Sequence, residues 1–390
     1  MLVNLNTKNI IIVSVITGLL SILMVTGCKE SQKSTTGKSR TATETQTKAD
    51  VRTFVTYKYI DRMTGMEAFR LLIPKGWQAE GTISWSANPA LPAQARFRFY
   101  NPNGAEEFNL FPTQSYFWTN NQMFLSTNPP GSLRFGTLVM RPIDLRNAFM
   151  QVIIPKFRTK VSGLKITEEK QVAELARLAR GELIRGVHSS AEGGKIRIQY
   201  QQNSRLIEEE IYAAVSQFVT DLPGSAFSRG YFIDYWYIDY VFSFKAEKNR
   251  LDSQSKVFQT MVYSLKVNPR WFARVSNVKE MMVQQIIRGI KAVGRIGEMV
   301  ARAGSEMRAD QMHAWEQRQQ AQDRIAQNFS DYIRGVDRFH DPFSGKEVEL
   351  PSGYGRAFAN NLGEYIVTDS PSYNPNIGSN LHWEELTPAK

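Results

Sequence analysis

The chain has 390 residues, a formal net charge of +11 and one cysteine. This length suffices for two or more buried cores, and a single cysteine excludes any disulfide within the chain. The positive charge suits anionic lipid headgroups, acidic glycans or acidic proteins, and it also suits plain solubility.

The N-terminal segment has the anatomy of a secretory signal. Lys8 is the one basic residue before an apolar run over 10–25, which is too short for a comfortable membrane span, and small residues follow it up to Cys28. The four residues that end at Cys28 resemble a bacterial lipobox. The resemblance implies cleavage between Gly27 and Cys28, and lipidation of Cys28 on sulfur and nitrogen. The alternative is an uncleaved anchor with an incidental cysteine.

A lipidated Cys28 would place the protein at a membrane surface outside the cytoplasm, because two acyl chains hold a protein stably on a bilayer. Residues 29–50 are polar and rich in Ser and Thr, so we predict that they form a flexible tether. Lys29 stands where an aspartate would resemble an inner-membrane retention signal. We therefore expect the outer membrane if the host has two membranes.

The block 51–156 is predicted to be rich in strands. Turn sequences separate its short apolar runs, which cover 53–60, 69–73, 95–100, 138–140 and 150–154. A cluster of aromatic residues, Tyr116, Phe117 and Trp118, falls in a stretch rich in Asn and Pro that reads as a loop. Loop aromatics are often exposed, so this cluster is a candidate binding lip, with a local satellite core as the alternative.

The block 157–272 is predicted to mix helix and strand. A helix should begin after Thr167, a good N-cap, with Glu168 and Glu169 in its first turn. Its apolar face would comprise Val172, Leu175, Ala176, Leu178 and Leu183. Strands are expected over 195–201, 205–218 and 231–244, with Gly193-Gly194 as a hairpin turn, and a second helix over 253–265.

A long helix is predicted over 273–336, followed by a small β tail over 337–390. A basic stripe on this helix recurs at three, four and seven residues and comprises Arg288, Lys291, Arg295 and Arg302. The stripe is a candidate contact for an anionic partner, either a lipid surface or an acidic protein. The alternatives are a helix that oligomerises and a plain solvated face.

Two further resemblances concern the fold. The segment 69–77, which ends in Ile73-Pro74-Lys75-Gly76-Trp77, resembles the opening of PsbP/Mog1-like domains, and the segments 242–244 and 258–271 resemble their ending. The resemblance implies sheet-and-helix units of that family, as two copies or as one copy with a large insertion. The tail is similar to a module of uncharacterised bacterial proteins, from which no activity follows.

Motifs for catalysis or metal binding are scarce. The histidines His188, His313, His340 and His382 form no helical i, i+4 pair, and there is no Gly-x-Ser-x-Gly elbow and no Gly-rich phosphate loop. Asp234 and Asp239 lie five residues apart on the most aromatic predicted strand, and an odd separation places them on opposite faces. That strand is either a stacking platform for a sugar or peptide or a buried central strand.

The sequence thus predicts an α+β fold of antiparallel PsbP/Mog1-like sheet-and-helix units, a long helix and a small β tail. We expect a non-enzymatic, membrane-tethered binding or scaffolding protein of the cell envelope, without cofactor, metal or nucleic acid. Its partners would be the bilayer, through acylated Cys28, and a protein or anionic envelope component; the oligomeric state is left open. The alternatives are an envelope hydrolase that uses Asp234 or Asp239 as an acid, and a secretion or assembly accessory that oligomerises through its helix.

Overall fold

The computed structural model describes residues 51–134, 136–181, 186–224, 229–287, 312, 316, 336–377 and 379–389. Strands dominate these ranges. In chain order they are β1 (Val51–Asp61), β2 (Met66–Pro74), β3 (Gln78–Trp85), β4 (Ala93–Tyr100), β5 (Glu107–Leu110), β6 (Gln114–Thr119), β7 (Leu133–Arg134), β8 (Thr137–Val139), β9 (Ser162–Gln171), β10 (His188–Gln202), β11 (Arg205–Leu222), β12 (Tyr231–Glu247), β13 (Lys266–Val267), β14 (Val336–Asp341), β15 (Lys346–Pro351), β16 (Arg356–Asn360), β17 (Glu364–Thr368), β18 (Trp383–Glu385) and β19 (Thr387–Pro388).

The described helices are short, and the longest has 19 residues. They are α1 (Gln122–Thr127), α2 (Leu145–Asn147), α3 (Ile154–Phe157), α4 (Ala173–Arg180), α5 (Ser255–Tyr263) and α6 (Pro269–Ile287). A π-helical turn, Ala148–Ile153, joins α2 to α3, and a 3-10 turn, Asp252–Gln254, precedes α5. Within these ranges no helix has both the length and the apolar character that a membrane span requires.

The largest sheet has ten strands and is built around β10, β11 and β12, which have 15, 18 and 17 residues. The strand order along its main path is β3-β4-β5-β12-β11-β10-β9. Two strands share one edge of β12, because β5 pairs with its C-terminal part and β6 pairs with its N-terminal part. The branch continues from β6 to β8 and from β8 to β7.

A bulge in β12 marks the place where β5 gives way to β6. Tyr240 has a φ of 54°, and the pairing with β11 shifts between Tyr212 and Ala214. Asp239 Oδ1 accepts hydrogen bonds from Tyr240 N at 2.8 Å and from Thr113 Oγ1 at 2.7 Å. Asp239 therefore stabilises the bulge, which is a local device of the fold.

The ten-stranded sheet has a hydrophobic core on each face. On one face Trp236 and Ile238 pack with Phe149 and Ile153 of the helical segment 145–157. The opposite face carries Phe residues from β4, β5 and β12, and it packs against α4, α5 and strands of a second sheet. The members of this second core include Phe97, Phe99, Phe108, Phe242, Phe244, Leu175, Phe258 and Leu71. Both faces of the sheet are therefore covered over much of its area.

The second sheet joins the two ends of the described chain. Its six strands run in the order β13-β2-β1-β17-β16-β18, and Val51 to Val55 of β1 pair with Glu364 to Thr368 of β17. A separate three-stranded sheet has the strand order β15-β14-β19 and is built from the C-terminal tail. The predicted first block, 51–156, and the predicted tail, 337–390, therefore contribute strands to the same sheet.

The hairpins β1–β2 and β14–β15 share one turn chemistry, which is an internal structural repeat. Asp61 and Asp341 each end the first strand and accept hydrogen bonds from residues of the turn, through Met63 N and Thr64 Oγ1 in one hairpin and Phe343 N and Ser344 Oγ in the other. A glycine with positive φ closes each turn. Asx side chains commonly cap turns in this way.

The predicted fold class is wrong, because the described chain is mainly β and shows no long helix. The stretch after Thr167 is strand β9, and α4 begins only at Ala173, since alternate residues of β9 pack inward in a period of two. The predicted strand 150–154 is helical, within the π-turn and α3. Of the helix predicted over 273–336, the structure describes the part up to Ile287, which belongs to the 19-residue helix α6, and almost all of 288–335 lies outside the described residues.

Gly193 and Gly194 do not form the predicted hairpin turn; they lie inside β10. A Cβ at Gly193 would stand 2.4 Å from Ala176 N of α4, and one at Gly194 would stand 2.9 Å from Leu145 Cδ2. The two glycines therefore let structure pack closely on both faces of β10. The turn of this hairpin is made by Asn203 and Ser204, which both have positive φ.

Candidate binding site

The aromatic cluster at 116–118 belongs to strand β6 rather than to a loop, so its side chains alternate between the faces of the sheet. Tyr116 is buried and stacks on Trp236, with ring centroids 4.0 Å apart. Phe117 is buried on the other face, 5.1 Å from Phe124 and 5.3 Å from Tyr235. Trp118 is only half-buried. Of the three residues, it is the one that presents a surface to a ligand.

Trp118 lines a depression of about 370 Å³ on the face that also carries Tyr116. Its walls come from β6, from the loop before β7, and from β8 with the two residues after it. The lining residues are Trp118, Pro130, Gly131, Leu138, Val139, Met140 and Arg141. Backbone hydrogen bonds hold these walls in place, from Gly131 N to Val139 O at 2.8 Å and from Met140 N to Phe117 O at 3.0 Å. The depression is therefore a formed feature of the sheet edge.

One cation faces this largely apolar lining. The Arg141 guanidinium lies 5.6 Å from the centre of a Trp118 ring, within the range of a cation–π contact. Below, the Trp236 indole donates to Met140 O at 2.8 Å, which ties the wall to the sheet core. The arrangement suits a ligand with an apolar part for the indole, Leu138 and Met140, and an anionic part for Arg141.

A buried acid lies beside the depression. Asp234 pairs with Trp118 across β12 and β6, so both side chains share one face of the sheet. Asp234 is 2% exposed, and no hydrogen-bond partner for its Oδ1 occurs among the described residues. Burial raises the pKa of Asp234 to about 6, and the backbone of Phe218 offsets only part of this effect. Asp234 is thus a protonatable group beside the Trp118 wall.

We expect Asp234→Asn to remove a pH dependence of stability. Because its folded-state pKa is about 6 and its unfolded value about 3.9, the folded protein holds the extra proton, and wild-type stability should fall by about 2–3 kcal/mol as the pH rises through this window. The unfolding midpoint of wild type should therefore fall relative to that of Asp234→Asn as the pH rises through this window. Thermal unfolding between about pH 4 and pH 8 measures it.

The control is Asp369→Asn, which changes an exposed acid directly after strand β17. The difference in unfolding midpoint between this control variant and wild type should stay constant between about pH 4 and pH 8. If the difference in unfolding midpoint between Asp234→Asn and wild type were also constant with pH, burial would not disfavour the charged form of the Asp234 carboxyl.

Asp234 and Asp239 do not meet as an acid–base pair. The stretch of β12 between them pairs regularly with β11, so the five-residue separation leaves them on opposite faces. Asp234 faces the Trp118 side, and Asp239 is engaged at the bulge beside Tyr240. Within the described ranges no three or more His, Cys, Asp and Glu side chains gather where they could hold a metal ion.

A buried ionic cluster lies on the Trp236 face of the sheet, and none of its residues lines the depression. The Arg158 guanidinium binds Glu209 through both carboxylate oxygens and contacts Ser243 Oγ at 3.1 Å. The Tyr200 hydroxyl donates to Glu209 at 2.8 Å, and Glu209 is fully buried. The charges of this cluster are satisfied within the protein. The cluster joins the helical segment to the sheet, because Arg158 follows α3 and the other members lie on β10, β11 and β12.

A second ionic cluster lies on the opposite face. Lys195 pairs with Glu210 at 2.5 Å, and both residues are buried. Arg197 contacts Glu210 at 2.9 Å and Asp252 at 2.6 Å, and the Tyr212 hydroxyl donates to Glu210 at 2.8 Å. The sequence gives little sign of either cluster, since Glu208-Glu209-Glu210 reads as a solvated acidic run.

Gly27 and Cys28 lie outside the described residues, and so does the whole basic stripe of Arg288, Lys291, Arg295 and Arg302. Lipidation of Cys28 and the role of the stripe therefore stay predictions.

Sequence reasoning missed the other walls of the depression, chiefly Pro130, Leu138, Met140 and Arg141. A compositional signal was present, because residues 111–143 contain arginines but no Asp or Glu. A surface stretch that excludes acids in this way is typical of a contact for an anion.

Comparison with known proteins adds no family: no protein-family model matches the chain, and no curated protein does. Function is therefore inferred from the residues of the site and from the N-terminal motif.

Proposed function

We propose that the protein is a membrane-anchored binding protein of the cell envelope that holds its ligand at the Trp118 depression and performs no catalysis. The observation that carries the binding role is a half-buried indole in an apolar depression with the Arg141 guanidinium against it. Aromatic walls with one cation are typical of binding sites. Acylated Cys28 would keep the site at the bilayer, in a host with two membranes at the outer one.

The anchor is tested by Cys28→Ser. Loss of the thiol should abolish incorporation of a radiolabelled fatty acid and should shift the protein out of the membrane fraction, because the remaining apolar run is short for a stable span. Metabolic labelling and membrane fractionation measure both effects. Label that persists in Cys28→Ser would overturn the lipoprotein assignment, while a labelled wild type found only with inner-membrane markers would overturn the outer-membrane expectation.

The binding role is tested by complementation of the envelope phenotype of a deletion strain. Trp118→Ala should fail to complement although the protein accumulates in the membrane fraction, since truncation removes the wall of the depression. Leu362→Ala alters an exposed apolar residue of the other sheet region and should complement fully. If Trp118→Ala complemented as well, the depression would not be the functional site.

The same assay separates binding from catalysis. Asp234→Asn should complement, because the amide keeps the shape of the side chain but cannot act as an acid. A variant that is folded and membrane-bound yet inactive would favour the alternative of an envelope hydrolase that uses Asp234.

A further inference from the structure

The end of the large sheet that carries the Trp118 depression exposes four large apolar or aromatic side chains. Met123 on α1 is 82% exposed and Leu133 on β7 is 72% exposed. Tyr231 and Tyr235 on β12 are also exposed, at 36% and 38%. Large exposed apolar side chains that gather in one place mark an interaction surface, whereas scattered ones need no explanation.

These side chains lie at one end of the sheet and on both of its faces: Tyr235 and Arg134 contact Phe117 on one face, whereas Leu133 lies on the face of Trp118. Leu133 pairs with Leu138, a wall residue of the depression, so the two share a face. Asn120, which precedes α1, accepts a hydrogen bond from Phe232 N at 2.9 Å, and this brings the start of α1 beside the start of β12. We define the tip as Trp118, Met123, Leu133, Arg134, Tyr235 and Arg141.

The six residues that define the tip include two arginines, Arg134 and Arg141, and no acid. Residues 111–143 contain no Asp or Glu, and Arg134 lies over the rings of Phe124 at 4.3 Å and Phe117 at 5.1 Å. The acid within the tip region of β12, Asp234, is buried. The exposed Asp221 on β11 faces His188 at 3.5 Å. Aromatic, aliphatic and Arg side chains without acids match an anionic lipid interface.

We propose that the tip docks onto an anionic bilayer. Met123 and Leu133 enter the headgroup layer, the Trp118 and Tyr235 rings lie at the interface, and Arg134 and Arg141 contact lipid phosphates. The Trp118 depression receives the apolar part of a lipid whose phosphate meets Arg141. Tryptophan and tyrosine favour this level of a membrane because each has an apolar body and a polar edge.

A bilayer fits the tip better than a sugar or an acidic protein. The depression is lined mainly by apolar side chains, whereas a sugar needs several convergent polar groups. An acylated Cys28 would hold the domain at the bilayer, and at the resulting effective concentration even a weak surface contact is populated. This inference rests on the proposed function, because it names the ligand of the Trp118 site.

Vesicle flotation tests the proposal with the mature chain from residue 28, in which Cys28→Ser removes the acyl anchor. Vesicles of phosphatidylcholine with about 30 mol % phosphatidylglycerol should bind the protein, vesicles of phosphatidylcholine alone should bind it weakly, and salt should weaken the binding. The variant Met123→Asp/Leu133→Asp should bind anionic vesicles about tenfold less or weaker still, because charged side chains resist burial in the interface. Arg134→Ser/Arg141→Ser should lose the preference for anionic vesicles.

The matched control is Leu362→Asp/Ile377→Asp, since these two side chains are 65% and 79% exposed in the other sheet region. It should bind like wild type. If the tip and control variants bound equally, or if wild type did not prefer anionic vesicles, the bilayer would be excluded as the occupant. Loss of complementation by tip variants that still float like wild type would assign the tip to a protein or glycan. In that case the proposed function would stand and this inference would fall, whereas full complementation by Trp118→Ala would remove both.

Discussion

Arg158→Met is expected to lower the free energy of unfolding by about 3–5 kcal/mol, because it leaves Glu209 as an uncompensated charge in the core. Glu209 is fully buried, and Arg158 binds it with Nε 2.7 Å from one carboxylate oxygen while a second guanidinium nitrogen contacts the other oxygen. Tyr200 and Ser243 complete the cluster but carry no positive charge. Urea unfolding followed by tryptophan fluorescence measures the loss.

The pH dependence should identify the mechanism. Burial alone would raise the pKa of Glu209, but the charge and hydrogen bonds of Arg158 hold it below its ordinary value. In wild type the stabilisation is present above the unfolded pKa of about 4.3 and is lost as the pH falls through the lower folded value. In Arg158→Met burial still raises the pKa of Glu209 and only Ser243 and Lys245 oppose it, so protonation of Glu209 should relieve part of the defect. The difference in the free energy of unfolding between wild type and Arg158→Met should therefore become smaller as the pH falls from about 7.5 to about 4.5.

Arg146→Met supplies the matched control. Arg146 pairs with Glu169 at 2.7 Å, the same distance as Arg158 Nε from Glu209, but its side chain is 71% exposed. Solvent screens such a pair, so its loss should change stability by less than about 1 kcal/mol. Equal effects of Arg146→Met and Arg158→Met, or a gap for Arg158→Met that does not narrow in acid, would contradict the buried-charge explanation.

Asp61→Ala is expected to lower the free energy of unfolding by about 3 kcal/mol, because it leaves one buried donor and several partly buried donors without their acceptor. Asp61 is 1% exposed and accepts from the Trp271 indole at 2.8 Å and from the Trp85 indole at 3.1 Å. It also caps its turn through Met63 N and Thr64 Oγ1. One carboxylate thus joins β1, β3 and α6. Thermal unfolding followed by near-ultraviolet circular dichroism, which reports on the two indoles, measures the effect.

The conservative and the equivalent substitutions test the same explanation. Asp61→Asn keeps one acceptor oxygen and should recover part of the loss. Asp341→Ala removes the corresponding side chain of the second hairpin, which binds the Tyr365 hydroxyl at 2.7 Å but no indole. It should be milder than Asp61→Ala. If Asp61→Asn were as harmful as Asp61→Ala, or Asp341→Ala were worse than both, the two indole bonds would not be the source of the effect.

Local patterns of the sequence predicted individual strands well. The strand predicted over 95–100 is confirmed in β4, where Phe97 and Phe99 are buried and Arg98 between them is not. The opposite placement of Asp234 and Asp239 is also confirmed, because it follows from a period of two residues. The start of a helix after Thr167 was wrong, because capping residues are a local signal that the pairing of β9 with β10 outweighs. The fold class failed for the same reason, since short-range propensity does not reveal strands of 15 to 18 residues.

The sequence by itself determined what depends on neighbouring residues: the motif at Cys28 that predicts an anchor, the turns, and the two-residue period that buries one side of each strand. Only the tertiary structure decided which side chains meet. Trp118, Arg141 and Asp234 come from separate segments, and they lie together because β6 pairs with both β12 and β8. The register of those pairings selects the face on which Trp118 lies, and a shift of one residue would turn it to the other face. Such pairings join distant parts of the chain through backbone hydrogen bonds that every residue type except proline can both donate and accept, so no local pattern specifies them.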